Sequence, residues 1–557
     1  MFIIISLTII CLISFKLLNP IFNSKEVIIT YGFKKYNIVT EYPKIWYYFK
    51  ITYICTFIFS NIIYLNYLYN KISKVFSKRR IKKEKFIIKS NKINLLIGND
   101  EETGKNIYIQ ESGLYQNFLI TGTIGTGKTS SAMYPFTEQI LKYNSLNPDK
   151  KIGTLILDVK GNYYKQVKKY TQKYNLQNDL IVLELGGKYK YNPLHKPGLK
   201  PAILANRLKL ILELFSENNS ESYWLDESEK VLTEAIKLCR IYNSGYVTFE
   251  EIHKIVTEEN YYKEKIEIIK KLFINNKLSK NQIYDLNSAI NFFQKEYEKL
   301  DQRTLAILKS EITRITNIFI SDYDINRIFC SQKNELNFKG FEEVIKKGKI
   351  VVLNMNIAEY RNLSKIIAAY LKLDFQTEIM MSLSKNKVRT TAFICDEYAE
   401  YVTKTDGDFF SLSREAKCIN IVSTQSYSSL KNTLKDETVV KVICQNLINK
   451  IWFRTDDIFT IEEVQKQLGK EDKIKTSKNI SENSKETIYS RMTNSMSSLD
   501  ATISESFNLY TQNDYIYDTN FFTQKLQTFT ALAFLSDGNK IIKPKKLNMF
   551  PYFLNNK

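Results

Sequence analysis

Residues 119–130 read Leu-Ile-Thr-Gly-Thr-Ile-Gly-Thr-Gly-Lys-Thr-Ser. Gly122, Gly127, Lys128 and Thr129 fit G-x-x-x-x-G-K-[ST], the phosphate-binding loop. Glycines let such a loop pass through positive φ and turn backbone N–H groups toward phosphate oxygens. The segment Gly122, Thr123, Ile124, Gly125, Thr126, Gly127, Lys128, Thr129 and Ser130 is therefore the expected nucleotide cradle. Lys128 can reach the β- and γ-phosphates of ATP, and Thr129 can ligate Mg²⁺. An apolar run, residues 117–120, precedes the loop as a buried strand; residues 130–142 follow as a helix aimed at the same anion.

A second constellation is Thr391-Ala-Phe-Ile-Cys-Asp-Glu397, an apolar run ending in two carboxylates. At the C-terminal end of a parallel strand these side chains enter the crevice where such folds bind ligands. Asp396 is expected to hold the Mg²⁺, directly or through water, and Glu397 to orient the attacking water. A third runs from Phe409 through Ser413-Arg-Glu-Ala416 into an apolar strand that ends at Thr424-Gln425. Gln425 can sense the γ-phosphate or the lytic water. Arg414, on a preceding helix, can face a neighbouring subunit's nucleotide.

The elements that position these residues are legible in outline. Strand runs at Thr154–Leu157, Leu180–Leu185, Ile350–Asn354, Thr390–Cys395 and Cys418–Ser423 alternate with helical patterns, which argues for an α/β fold with a parallel sheet. From about 201 to 345 long amphipathic patterns dominate and glycine is scarce, so this stretch reads as an all-helical insertion. The motor-type domain then comprises 87–200 and 346–557. Residues 471–505, rich in Ser, Asn, Thr and Lys, read as a flexible excursion.

The N-terminus is of another kind. Residues 2–15 are uncharged and apolar, and 51–70 give 20 residues without a charge, preceded by Trp46, Tyr47 and Tyr48. These suit a transmembrane hairpin over 1–70, with spans at about 2–22 and 46–70. A secretory signal would need a basic start and a small-residue cleavage site, and neither is present. The linker 71–86 is crowded with Lys and Arg, with Glu84 its one acid, which places that side in the cytoplasm. The whole chain carries 80 Lys+Arg against 59 Asp+Glu, a formal charge of +21 that calls for a polyanionic partner, nucleic acid or an anionic membrane. Seven scattered cysteines and two histidines suggest neither a zinc site nor a disulfide framework.

Taken together, these residues resemble the coupling ATPases of conjugative DNA transfer and type IV secretion, in the RecA-like group that includes the chromosome-partitioning DNA translocases. The matching stretches are Gly122 to Thr129 with Pro135, Asp158-Val-Lys-Gly161, Tyr191-Asn-Pro-Leu194, Ile394-Cys-Asp-Glu-Tyr-Ala399, Ser413-Arg-Glu-Ala416, Ser423-Thr-Gln-Ser426 and Asn446 to Asp457. They span roughly Leu119 to Phe534, beside the two-helix anchor. The resemblance implies a RecA-like motor with an all-helical domain, assembled as a hexameric ring in the cytoplasmic membrane. It also implies ATP and Mg²⁺ as cofactors. Its cargo would be single-stranded DNA bound to a relaxase, delivered to type IV secretion channel components. Lys128, Thr129, Asp396, Glu397, Arg414 and Gln425 carry over. The family pattern has Pro and Glu where this chain has Val159 and Asn162, so the carry-over stops short of Asp158 and Lys160. Two other readings of the residues stay open: a double-stranded DNA translocase, and a docking receptor in which ATP binding only holds a ring together.

Overall fold

The computed structural model describes residues 23–24, 26–31, 34–52, 93–214, 222–274, 278–355, 357–383, 389–482, 487–490, 495–498 and 503–554. The chain divides into two compact units, Met1–Asn91 and Lys92–Lys557. In the first, β1 (Ile28–Tyr31) and β2 (Lys34–Asn37) form an antiparallel hairpin, and residues 43–52 are helical. The expected span at 2–22, most of the span at 46–70 and the basic linker lie outside the described residues. Among the described residues no helix is long and apolar enough to cross a membrane.

The second unit is built on one eleven-stranded sheet. Its strands are β3 (Asn94–Asp100), β4 (Asn106–Gln110), β5 (Phe118–Thr121), β6 (Gly153–Leu157), β7 (Leu180–Leu183), β8 (Ile350–Leu353), β9 (Thr391–Cys395), β10 (Cys418–Thr424) and β11 (Asn449–Trp452). An excursion then carries β12 (Lys470–Glu482), β13 (Thr487–Ser490), β14 (Ser495–Ser498) and β15 (Ile503–Tyr515) before β16 (Thr530–Ser536) and β17 (Ile541–Asn548) rejoin the sheet. The order is β4-β3-β17-β16-β11-β5-β10-β9-β6-β8-β7.

From β11 to β7 every pairing is parallel. β5, β6, β8, β9 and β10 are short, largely apolar and buried on both faces, as parallel strands covered by helices must be. The flank β16-β17-β3-β4 is antiparallel, so the sheet is mixed. Register decides where the chemistry goes. Thr424 stands opposite Thr121, Val422 opposite Cys395, and Cys395 opposite Leu157. The residues that follow β5, β10, β9 and β6 therefore leave the sheet along one edge.

Between β7 and β8 the described residues form helices and no strand, including Pro201–Leu214, Ser222–Tyr242, Phe249–Thr257 and Gln302–Ile320. Their starts are capped as their residues dictate: the Thr248 hydroxyl accepts from Glu251 N, Ser279 forms a capping box with Gln282, and Asp301 accepts from the next turn. Their apolar faces join the core on one side of the sheet, where Leu204, Leu208, Phe249 and Phe319 belong to the same buried cluster as Leu119, Leu155 and Phe393. A buried ionic group bridges the two regions. Asp374, on the helix Ile357–Ser382, binds Arg207 Nη1 and Lys196 Nζ, each at 2.8 Å.

The excursion differs from its expectation. β12 and β15 pair over their full thirteen-residue lengths into a long antiparallel ribbon. Ile474, Thr476 and Lys478 stand opposite Thr511, Leu509 and Phe507, so one ribbon face carries most of its apolar side chains. Cross-strand hydrogen bonding satisfies a backbone whose polar composition reads locally as loop. The four cysteines Cys239, Cys395, Cys418 and Cys444 are buried free thiols, and Cys330 is a half-buried one.

Candidate functional site

The phosphate loop begins where β5 ends. Gly122 has φ 157° and Gly127 φ 101°. A Cβ at Gly127 would sit 2.5 Å from a carbon of the Phe529 ring, so both the left-handed backbone and the close approach require glycine there. The loop is braced on the other strand side: Thr123 N donates to the Arg454 carbonyl at 2.9 Å, and the Thr126 hydroxyl donates to the Thr123 carbonyl at 2.8 Å. The following helix opens as a π-turn over Thr129–Met133 and continues as α-helix over Tyr134–Lys142; Pro135, which has no N–H to donate, comes directly after the wider turn. Ile124, at the tip, is 77% exposed.

Lys128 is buried inside this loop, its ammonium donating to the carbonyls of Gly122 and, at 3.2 Å, Thr123. Burial holds the amine below the ordinary lysine range, with Glu397 and Asp396 pulling the other way. The Thr129 hydroxyl donates to Asp396 Oδ2 at 2.8 Å. Asp396 is 1% exposed and directly follows β9. Its second oxygen accepts from the Ser423 hydroxyl and, at 3.1 Å, from Glu397 N. Ser423 opens the matching stretch Ser423-Thr-Gln-Ser426, but only the β9–β10 register brings it to Asp396.

Glu397 has φ 52°, a left-handed backbone that a non-glycine residue adopts at a cost. Its carboxylate lies between Lys160 Nζ and Gln425 Nε2, each 3.3 Å from one oxygen. Burial alone would depress the Lys160 amine, but the charges of Glu397 and Asp396 outweigh it and hold it above the usual range. Asp158, at the end of β6, accepts the backbone N–H groups of Lys160, Asn162 and Tyr163. Burial, then the neighbouring Asp396 charge, pushes its carboxyl up, against those three donors. Asp158 shapes the turn that delivers Lys160 to Glu397.

The structure thus brings together Lys128, Thr129, Asp396, Glu397 and Gln425 along one sheet edge. Arg414 stands elsewhere. It is exposed in the turn after the helix Asp406–Leu412, not on the helix, and at the opposite end of β10 from Gln425. Seven extended residues put the two ends roughly 20 Å apart. The Arg414 turn is tied to the foot of β5: Asn420 Nδ2 donates to Asn117 Oδ1 at 2.7 Å and to the Ser413 hydroxyl at 2.9 Å.

The donor set fits a nucleotide with Mg²⁺. The loop offers N–H groups and a cation, while Thr129 and Asp396 offer hard oxygens. Mg²⁺ takes few protein ligands and completes its octahedron with water and phosphate oxygens. Among the described residues no cluster of three or more His, Cys, Asp or Glu side chains could hold a metal by itself.

Residues 390–506 match the family model described as the TraM recognition site of TraD and TraG. That segment holds Asp396, Glu397, Arg414, Gln425 and most of the ribbon. The plasmid coupling protein TrwB with the GTP analogue GDPNP aligns with TM-score 0.52 and 12% identity, covering 79% of this chain and 87% of that one. The chain has the fold of the plasmid coupling proteins. TrwB with the ATP analogue ADPNP aligns with TM-score 0.51 and 12% identity over 78% and 86% of the two chains. TrwB with ADP and Mg²⁺ does so with TM-score 0.51 and 12% identity over 79% and 86%. No curated protein sequence matches the chain. The coupling-protein fold is the one implied by the motifs from Gly122 to Asp457.

Proposed function

We propose that this protein is a membrane-anchored, ATP-hydrolysing coupling protein that recruits relaxase-bound single-stranded DNA and pumps it into a conjugative type IV secretion channel. The observation that carries the reading is the hydrogen bond from Thr129 to Asp396 beside Lys128, with Glu397 held between Lys160 and Gln425. Bound Mg²⁺ would neutralise developing phosphate charge at Thr129 and Asp396. Lys128 binds phosphate oxygens, and burial keeps competing water away from it. Glu397 holds and polarises the water, with its carboxylate aimed by Lys160 and Gln425. Arg414, far from its own chain's site, supplies charge to the nucleotide of an adjacent subunit in a homo-hexameric ring.

Other support comes from the TraD/TraG family match and from the +21 charge, which suits a nucleic-acid cargo and an anionic membrane surface. The N-terminal spans would place the bulk of the chain in the cytoplasm. The test is steady-state ATPase of the purified protein alone, with single-stranded DNA and with double-stranded DNA. Stimulation by single strands is expected. Stimulation confined to duplex points to a double-stranded DNA translocase. ATP binding without turnover under all three conditions makes the protein a docking receptor instead.

A further inference from the structure

The phosphate loop has a different neighbour on each side. β9 and its two carboxylates lie two strands from β5 in one direction, and β16 lies two strands away in the other. Phe529, immediately before β16, emerges along the same edge as the loop. Its backbone is left-handed, with φ 64°, a conformation that a bulky side chain adopts only where its surroundings impose it. The surroundings do so here: Phe529 N donates to the Thr126 carbonyl at 3.1 Å, and the Phe529 carbonyl accepts from Met549 N at 2.8 Å. The ring is thereby held against Gly127.

A second ring extends this surface. After β17 the chain turns through Tyr552–Leu554, where the Phe553 ring centroid is 5.9 Å from that of Phe529 at 68°. Tyr552 packs edge-on against Tyr134 of the loop helix, with centroids 5.2 Å apart, which anchors the segment across the helix start. Phe553 nevertheless stays 45% exposed. Single exposed hydrophobes need no explanation. An exposed ring packed edge-on against a strained one, itself seated on a phosphate loop, does.

Resting on the nucleotide reading above, the geometry points to an occupant. The terminal phosphate must face Glu397 to be cleaved. The nucleoside therefore leaves the loop on the side away from β9, which is the side of Phe529 and Phe553. We propose that these two rings form the platform for the base of a bound purine nucleoside triphosphate. The carbon face of a phenylalanine takes the π-face of any base, so adenine and guanine are both accepted, and affinity comes from stacking without reading the base edge.

The test is equilibrium binding of ATP, GTP and inorganic tripolyphosphate, with Mg²⁺, to the full-length protein. The wild type is expected to bind ATP and GTP within a few-fold of each other, and tripolyphosphate about 10-fold or more weakly, the worth of one stacked base. Phe553→Ala is expected to lose about 10-fold for both nucleotides and nothing for tripolyphosphate, and Phe553→Tyr to restore both. Phe529→Leu, which keeps an apolar group on Gly127, is expected to fall between. Unchanged ATP affinity in Phe553→Ala overturns the platform. Equal losses for ATP and tripolyphosphate in that variant also overturn it, since the ring would then act through the loop. A wild type that binds tripolyphosphate as tightly as ATP overturns the platform alone; one that binds neither overturns the nucleotide reading with it.

Discussion

Asp406 and Lys372 form an ion pair in which both side chains are wholly buried. The Lys372 ammonium touches both Asp406 oxygens, at 2.8 and 2.7 Å, together with the Tyr401 carbonyl at 2.6 Å and the Thr403 hydroxyl at 2.9 Å. Asp406 also accepts from Gln376, Thr403 N, the Thr403 hydroxyl and the Tyr398 hydroxyl. This asymmetry sets the expected costs. Asp406→Asn strands a cation with no anionic partner at zero exposure and is expected to lose about 3–5 kcal/mol. Lys372→Met leaves a carboxylate that keeps its other donors, so its cost is expected at the low end of that range or below it. The double variant removes both charges and is expected to be more stable than the sum of the singles by about 1–3 kcal/mol. Urea unfolding midpoints of the four proteins, at constant slope, measure the cycle. Additive losses within about 0.5 kcal/mol would refute the pairing. Tyr398 follows Glu397 directly, so Tyr398→Phe tests transmission to the site: ATP affinity is expected to persist while turnover falls.

Lys128→Ala is expected to abolish ATP hydrolysis, whereas Glu397→Gln should retain ATP binding and lose turnover; nucleotide binding and phosphate release on the same preparations separate the two. Arg414→Ala is expected to keep ATP binding and lose hydrolysis, since arginine fingers contribute about 10³–10⁵ in rate. Mixing Arg414→Ala with Lys128→Ala subunits is expected to restore part of the ATPase, and mixed rings that stay inactive at every ratio would mean that Arg414 does not act across subunits. Asp100 on β3 accepts from Lys545 on β17 and from Thr103, which hold its carboxyl at about 2, below the unfolded value. That stabilisation is present above about pH 4 and is lost as pH falls toward 2. Unfolding midpoints between pH 5 and pH 2 should therefore fall more steeply in the wild type than in Asp100→Asn.

Local chemistry made the phosphate loop legible before any coordinates. Gly122, Gly127, Lys128 and Thr129 act within eight residues, and a backbone cradle needs only local spacing. The apolar runs of β5, β6, β9 and β10 were readable for the same reason, because a strand buried on both faces needs continuous hydrophobicity. So were helices between β7 and β8, whose period lies in neighbouring residues. What depends on pairing between distant segments was not readable. Strand order and register put Ser423 on Asp396 and Lys160 on Glu397, and they place Arg414 at the far end of β10 from Gln425. The β12–β15 ribbon escapes a local reading because its polar residues lack apolar density, while cross-strand hydrogen bonds stabilise it from outside the segment. Phe529 reaches the phosphate loop for the same reason: only the return of β16 and β17 to the sheet lays its ring on Gly127. Propensity and periodicity act over a few residues, whereas a site assembled from five strand ends exists only once the sheet has closed.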